Sequence, residues 1–214
     1  MKSYSAALVV IAAAVLSSTA SAQNLQYTGL ARPDALTANV SVNGGAFTSL
    51  YAGSLKFTDG TETIFTYCAD PLSVLNSNFN TYSSSLVDLD GASSMSLAGK
   101  ILATNYQTAD TAEEQAGMQL AIWSALLDGG PAFNADGTNF KVNNVSASAL
   151  NFASSYFASA VNPGDTFVTL FSSNAAGAQS QLTASPVPEP FTMGLLGAAG
   201  LGLALRRRRQ NQKA

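Results

Sequence analysis

The chain contains no histidine, so neither a Ser-His or Cys-His catalytic pair nor a histidine-ligated metal site can be built from it. It has one cysteine, Cys68, which rules out any disulfide within the chain. Charged residues are also scarce, 11% of the total against roughly 25% in ordinary soluble domains. Basic residues are rarest in the body. Between positions 23 and 190 there are only Arg32, Lys56, Lys100 and Lys141, against all thirteen acidic residues, a net charge of −9. Such a body repels nucleic acid, and no nucleic-acid partner is expected.

What replaces the charges is Ser, Thr, Asn, Gly and Ala, a composition typical of exported bacterial domains. The N-terminus fits that reading. Lys2 precedes a short apolar run, Ala6 to Leu16, and Ala20-Ser21-Ala22 matches a small-residue cleavage site. Residues 1–22 are therefore expected to be a signal peptide, removed to leave Gln23 first. Residues 23–184 then form the body, and 185–214 a separate tail.

The tail has three parts in a fixed order. Val187-Pro188-Glu189-Pro190 is stiff and extended, because each proline fixes φ and disfavours helix before it. Phe191 to Leu205 is uncharged and mostly apolar, a short transmembrane helix that flanking residues can lengthen. Arg206, Arg207, Arg208 and Arg209 follow and orient the C-terminus toward the cytoplasm. This arrangement resembles the PEP-CTERM sorting signal. The resemblance implies a Gram-negative envelope or cell-surface protein, exported through the inner membrane and handled by an exosortase-type enzyme near Pro-Glu-Pro. It also implies an association with exopolysaccharide and biofilm.

Within the body, strands come first. Ala38–Val42 and Ala46–Tyr51 flank an Asn43-Gly44-Gly45 turn, and Asp59-Gly60 separates Gly53–Phe57 from Glu62–Cys68. On this last strand Ile64, Thr66 and Cys68 share one face and Phe65 and Tyr67 the other. A short strand is expected around Tyr82–Leu89. Helical spacing then begins at Met95 and runs about three turns. Thr111-Ala112-Glu113-Glu114 forms a capping box for a second helix ending at Asp128-Gly129-Gly130, and a third starts at Ser146. Asp165–Phe171 and Ala178–Ala184 return to strand. The expected fold is α+β, an antiparallel sandwich or barrel with a helical insertion.

Two features compete for chemistry. Asp88 and Asp90 hint at a calcium loop or a glycosidase carboxylate pair, but an i,i+2 pair beside Gly91 reads more simply as a turn. Neither a metal nor any other cofactor is expected, and no turnover enzyme. Tyr67-Cys68 at a strand end, together with Gln119-x-Ala121-Ile122-Trp123 on the second helix, resembles the thioester domains of bacterial surface adhesins. That resemblance implies a bond between the Cys68 sulfur and the Gln119 side-chain carbonyl. Residues Tyr67, Asp70, Ile122 and Trp123 would form its shell. Either Asp70 or Tyr67 is a candidate to activate the thiol. The electrophile would take an amine or hydroxyl from a surface or matrix protein or polysaccharide. The alternative is a non-covalent structural or carbohydrate-associated surface protein in which Cys68 is packing.

Overall fold

A computed structural model of the chain describes residues 21–75, 77–175 and 177–186. The sorting-motif residues Val187 to Pro190 and Arg206 to Arg209 lie outside them, as does the apolar segment before the arginines. Among the described residues no helix is long and apolar enough to cross a membrane.

Nine strands and three helices are described: β1 (Ser21–Leu30), β2 (Leu36–Val42), β3 (Thr48–Ala52), β4 (Leu55–Thr58), β5 (Thr63–Cys68), β6 (Phe79–Leu86), α1 (Ser94–Asn105), α2 (Ala112–Leu127), β7 (Phe140–Asn143), α3 (Ala147–Ala158), β8 (Thr166–Ser173) and β9 (Gln181–Pro186). Six of the strands close into an antiparallel barrel in the order β1-β4-β5-β9-β8-β6. The other three form a small sheet, β3-β2-β7. The α+β reading with a helical insertion therefore holds, and a barrel rather than a sandwich is the form it takes.

Local chemistry explains most element boundaries. The β2–β3 turn places Asn43 at φ 52° and Gly44 at φ 73°, the left-handed pair that a tight hairpin requires. At the β4–β5 turn, Asp59 accepts hydrogen bonds from the Thr61 and Glu62 amides and the Thr61 hydroxyl. These donors hold its carboxyl down at about 2. Helix α2 opens on the full capping box: the Thr111 hydroxyl accepts from the Glu114 amide, and the Glu114 carboxylate accepts from the Thr111 amide.

The strands depart from expectation in several places. Strand β6 lies three residues earlier than expected, because its Ser- and Asn-rich sequence lacks alternation and its register is set by pairing with β1 (Gln26↔Phe79). Strand β9 continues through Pro186, which pairs with Thr166, two residues past the expected end of the body. Strand β1 starts at Ser21, so a chain beginning at Gln23 keeps the pairs from Gln23↔Tyr82 to Gln26↔Phe79. Neither β1 nor β7 is among the expected strands.

Helix α2 is the centre of the molecule. Eleven of its sixteen residues are buried, so it is a core helix wrapped on several sides rather than a surface helix with one apolar stripe. Helices α1 and α3, the small sheet and the end of β5 all pack against it. Gly117 allows the close approach of α3: a Cβ there would fall 2.5 Å from that of Phe152. This packing carries the polar Gln119 side chain into the core, with 0% exposure.

Candidate functional site

A fully buried amide must find partners or destabilise the fold. Gln119 finds both on the main chain of Cys68. Its Oε1 accepts from the Cys68 amide at 2.8 Å, and its Nε2 donates to the Cys68 carbonyl at 2.9 Å. The reason lies in the barrel. Strand β4 ends its pairing at Leu55↔Thr66, whereas β5 continues to Cys68, which faces Gln181 of β9 on its other side. The Gln119 amide occupies the ladder position that β4 leaves open. Its carbonyl carbon is thus held beside Cys68, with the oxygen polarised by an N–H.

Cys68 is 3% exposed. Burial pushes its pKa up to about 12, against the pull of the Trp123 indole N–H and the Asp70 main-chain N–H; the Asp70 carboxylate pushes it up further. Trp123 sits one turn after Gln119 on the same face of α2. Its Nε1 is buried and meets no acceptor at hydrogen-bond geometry, although the indole lies near enough to act on the sulfur. A neutral thiol is a weak acceptor. This donor is therefore poorly satisfied until the sulfur carries negative charge.

Cys68, Gln119 and Trp123 line one cleft of about 160 Å³, walled by Leu50, Tyr51 and Gly53 on one side and Pro71, Ser73 and Leu75 on another. Pro71 and Ser73 belong to the turn that follows Asp70. The Asp70 carboxylate accepts from the Leu72 amide at 3.2 Å and from the Ser73 hydroxyl. Gln179, also on the cleft, donates to the Ser73 carbonyl and accepts from Gln181, whose Oε1 takes the Thr66 hydroxyl. A buried polar chain therefore ties the turn to the barrel beneath it.

The structure thus brings Cys68, Gln119 and Trp123 together, keeps Asp70 beside the sulfur, and places Tyr67 and Ile122 elsewhere. Ile122 is fully buried in the core and is not on the cleft. Tyr67 points away from the sulfur, into a separate crevice of about 600 Å³ between barrel and helices, where burial raises its phenol pKa. Of the two thiol activators considered, Tyr67 faces the wrong side and the Asp70 carboxylate opposes the thiolate. Leu50, Tyr51, Ser73, Leu75 and Gln179 carried no local sequence signal, because they belong to three distant segments.

Asp88 and Asp90 form the expected turn. Asp88 caps the Asp90 amide, and Asp90 accepts from Asn162. Among the described residues no three carboxylate or thiol groups cluster as a metal site.

No curated protein matches the chain in sequence. Similar solved structures include the N-terminal domain of the Streptococcus pyogenes pilus tip adhesin Cpa (17% identity, 63% of this chain and 84% of that one, TM-score 0.42). Others are the N-terminal thioester domain of a Clostridium perfringens surface protein, in a cysteine-to-alanine variant (12%, 63% and 89%, 0.46), and that of the S. pyogenes fibronectin-binding protein SfbI (16%, 75% and 99%, 0.42). Residues 186–209 match the PEP-CTERM protein-sorting motif, which begins on Pro186, the last residue of β9.

Proposed function

We propose that this protein is an exported surface adhesin that forms a Cys68–Gln119 thioester and uses it to attach covalently to an amine or hydroxyl on a surface or matrix component. The observation that carries this reading is the paired hydrogen bond between the Gln119 amide and the Cys68 main chain. It fixes the electrophilic carbon beside the only thiol and supplies an oxyanion donor before reaction.

In the first step the sulfur loses its proton and attacks the Gln119 amide carbon. The oxyanion forms against the Cys68 N–H, and the C–N bond breaks. Nε2 takes up the thiol proton and leaves as ammonia. In the second step an amine attacks the same carbon, the C–S bond breaks, and the departing thiolate takes the proton released by the amine. The product is an amide through the Gln119 acyl group and a free Cys68 thiol. Trp123 stabilises negative sulfur in both steps. Each molecule reacts once. The near-complete burial of the sulfur keeps water from the bond.

Sorting follows from the tail. An exosortase-type enzyme handles the Pro-Glu-Pro segment after export and signal-peptide removal, and the body functions at a Gram-negative cell surface or in a biofilm matrix. Intact mass spectrometry tests the central bond. The folded chain should be lighter by one ammonia, and methylamine should abolish that deficit and label Gln119. An undiminished mass with a freely titrating thiol refutes it. The raised thiol pKa is what favours the rival reading, Cys68 as inert packing within a non-covalent surface protein. Under that reading Cys68→Ala leaves adhesion unchanged; under ours it abolishes covalent capture.

A further inference from the structure

Strand β3 ends the small sheet, and among the described residues β2 is its sole ladder partner. The opposite end of that sheet is protected. Along β7 the Val142 amide donates to Ala135, Asp136 bridges to Lys141, and their side chains form an ion pair. Among the described residues β3 has no such cover. Residues 43–54 contain no charged side chain and no proline, the devices that usually blunt an open edge. Thr48, Ser49 and Tyr51 are exposed, as is the neighbouring Phe47.

This edge borders the reactive cleft. Consecutive residues of a strand point to opposite faces. Leu50 and Tyr51 nevertheless both line the cleft, with Gly53 just past the strand, so the cleft adjoins the C-terminal end of β3. Resting on the thioester reading, we propose that β3 is the docking edge for the target: an extended, lysine-bearing polypeptide segment adds as a fourth strand beside β3 and delivers its side-chain amine to the Gln119 acyl carbon.

Three observations select this partner. The cleft, at about 160 Å³, is close to the ~150 Å³ that admits one benzene ring, so it takes a single side chain rather than a chain of sugar rings. No lining residue is charged and the chain lacks histidine, so no base lines the cleft to deprotonate a hydroxyl. Desolvation in such a cleft instead favours the neutral, nucleophilic form of an amine. The net negative body attracts a cationic segment from a distance. Main-chain pairing supplies the affinity and the position of the lysine supplies the register.

The test compares amines on the wild-type chain. The probes are methylamine, a short Thr/Val-rich peptide with one central lysine, and the same peptide with alternate backbone amides methylated. The lysine peptide should react roughly tenfold or more faster than methylamine at equal free amine, through proximity, and methylation should remove the advantage. Thr48→Pro and Ser49→Pro form a matched pair, since successive N–H groups point to opposite sides of the strand. The variant that changes the outer side should keep methylamine reactivity and lose the peptide advantage. Equal rates for both peptides, or a faster reaction with an oligosaccharide, overturn the proposal. Amide exchange in Cys68→Ala separates the two levels of the argument. Protection of β3 by the peptide with no aminolysis in wild type would sink the thioester and keep the docking edge, whereas aminolysis without β3 protection would do the reverse.

Discussion

Replacing Trp123 with phenylalanine removes one N–H and leaves an aromatic ring in the core. In the unreacted fold that N–H is buried without a conventional partner. An unpaired buried donor costs about 1–3 kcal/mol, so its removal relieves a penalty. The smaller ring leaves a gap that costs a similar amount. Stability should therefore move by no more than about 2 kcal/mol in either direction. Reactivity should not be spared. A hydrogen bond to a charged group contributes about 1.5–3 kcal/mol, and thiolate character develops on the sulfur both when the bond forms and when it opens. The expected loss is roughly tenfold to a hundredfold in each rate. Refolding followed by time-resolved intact mass measures formation, methylamine labelling measures opening, and denaturant unfolding reports stability. The pH dependence of Cys68 alkylation in unbonded chains should also move upward. Wild-type rates in a folded Trp123→Phe chain would show that the indole N–H does nothing to the sulfur.

Asp70→Asn should accelerate alkylation of the unbonded thiol by roughly two- to fivefold, because the carboxylate opposes the thiolate; slower alkylation would restore Asp70 as an activator. Unbonded chains should also lose stability in alkali. The unfolded thiol ionises near 9.0 and the folded one at about 12, so between these values the unfolded state binds fewer protons and stability falls as pH rises. Denaturant midpoints for Cys68→Ala, and for chains with the thioester intact, should decline less steeply, the remaining fall coming from the buried Tyr67 phenol. Gly117→Ala should destabilise the fold, since overpacking against Phe152 and the α3 backbone costs about 1–3 kcal/mol and exceeds the roughly 1 kcal/mol of helix propensity gained. Equilibrium unfolding measures it, and slower thioester formation should accompany it as α2 shifts. Thr111→Ala should cost about 1 kcal/mol through loss of the cap, read as a lower thermal midpoint.

Much of the fold was legible in the residues because its punctuation is local. Asn43-Gly44 and Asp59-Gly60 turn the chain through conformations that few other residues adopt, and Thr111 with Glu114 starts α2 at a definite place. These signals act over three or four residues, so they survive without knowledge of the rest. Cys68 at a strand end and Gln119 one helical turn before Trp123 were likewise visible as spacings.

Tertiary structure alone decided what those spacings do. Barrel closure depends on β1, β8 and β9, strands far apart in sequence, and β7 forms because β2 offers it an edge. The Gln119 amide lies on Cys68 because β4 stops pairing at Thr66, two residues short of Cys68, a fact about register that no composition reveals. The same geometry parts Tyr67 from Cys68: neighbours in a strand face opposite sides, so the phenol enters one crevice and the sulfur another. Composition and spacing put a lone thiol at a strand end and a glutamine on a capped helix. Only the fold could decide that they meet, because their meeting rests on an unfilled position in a ladder whose strands are non-local.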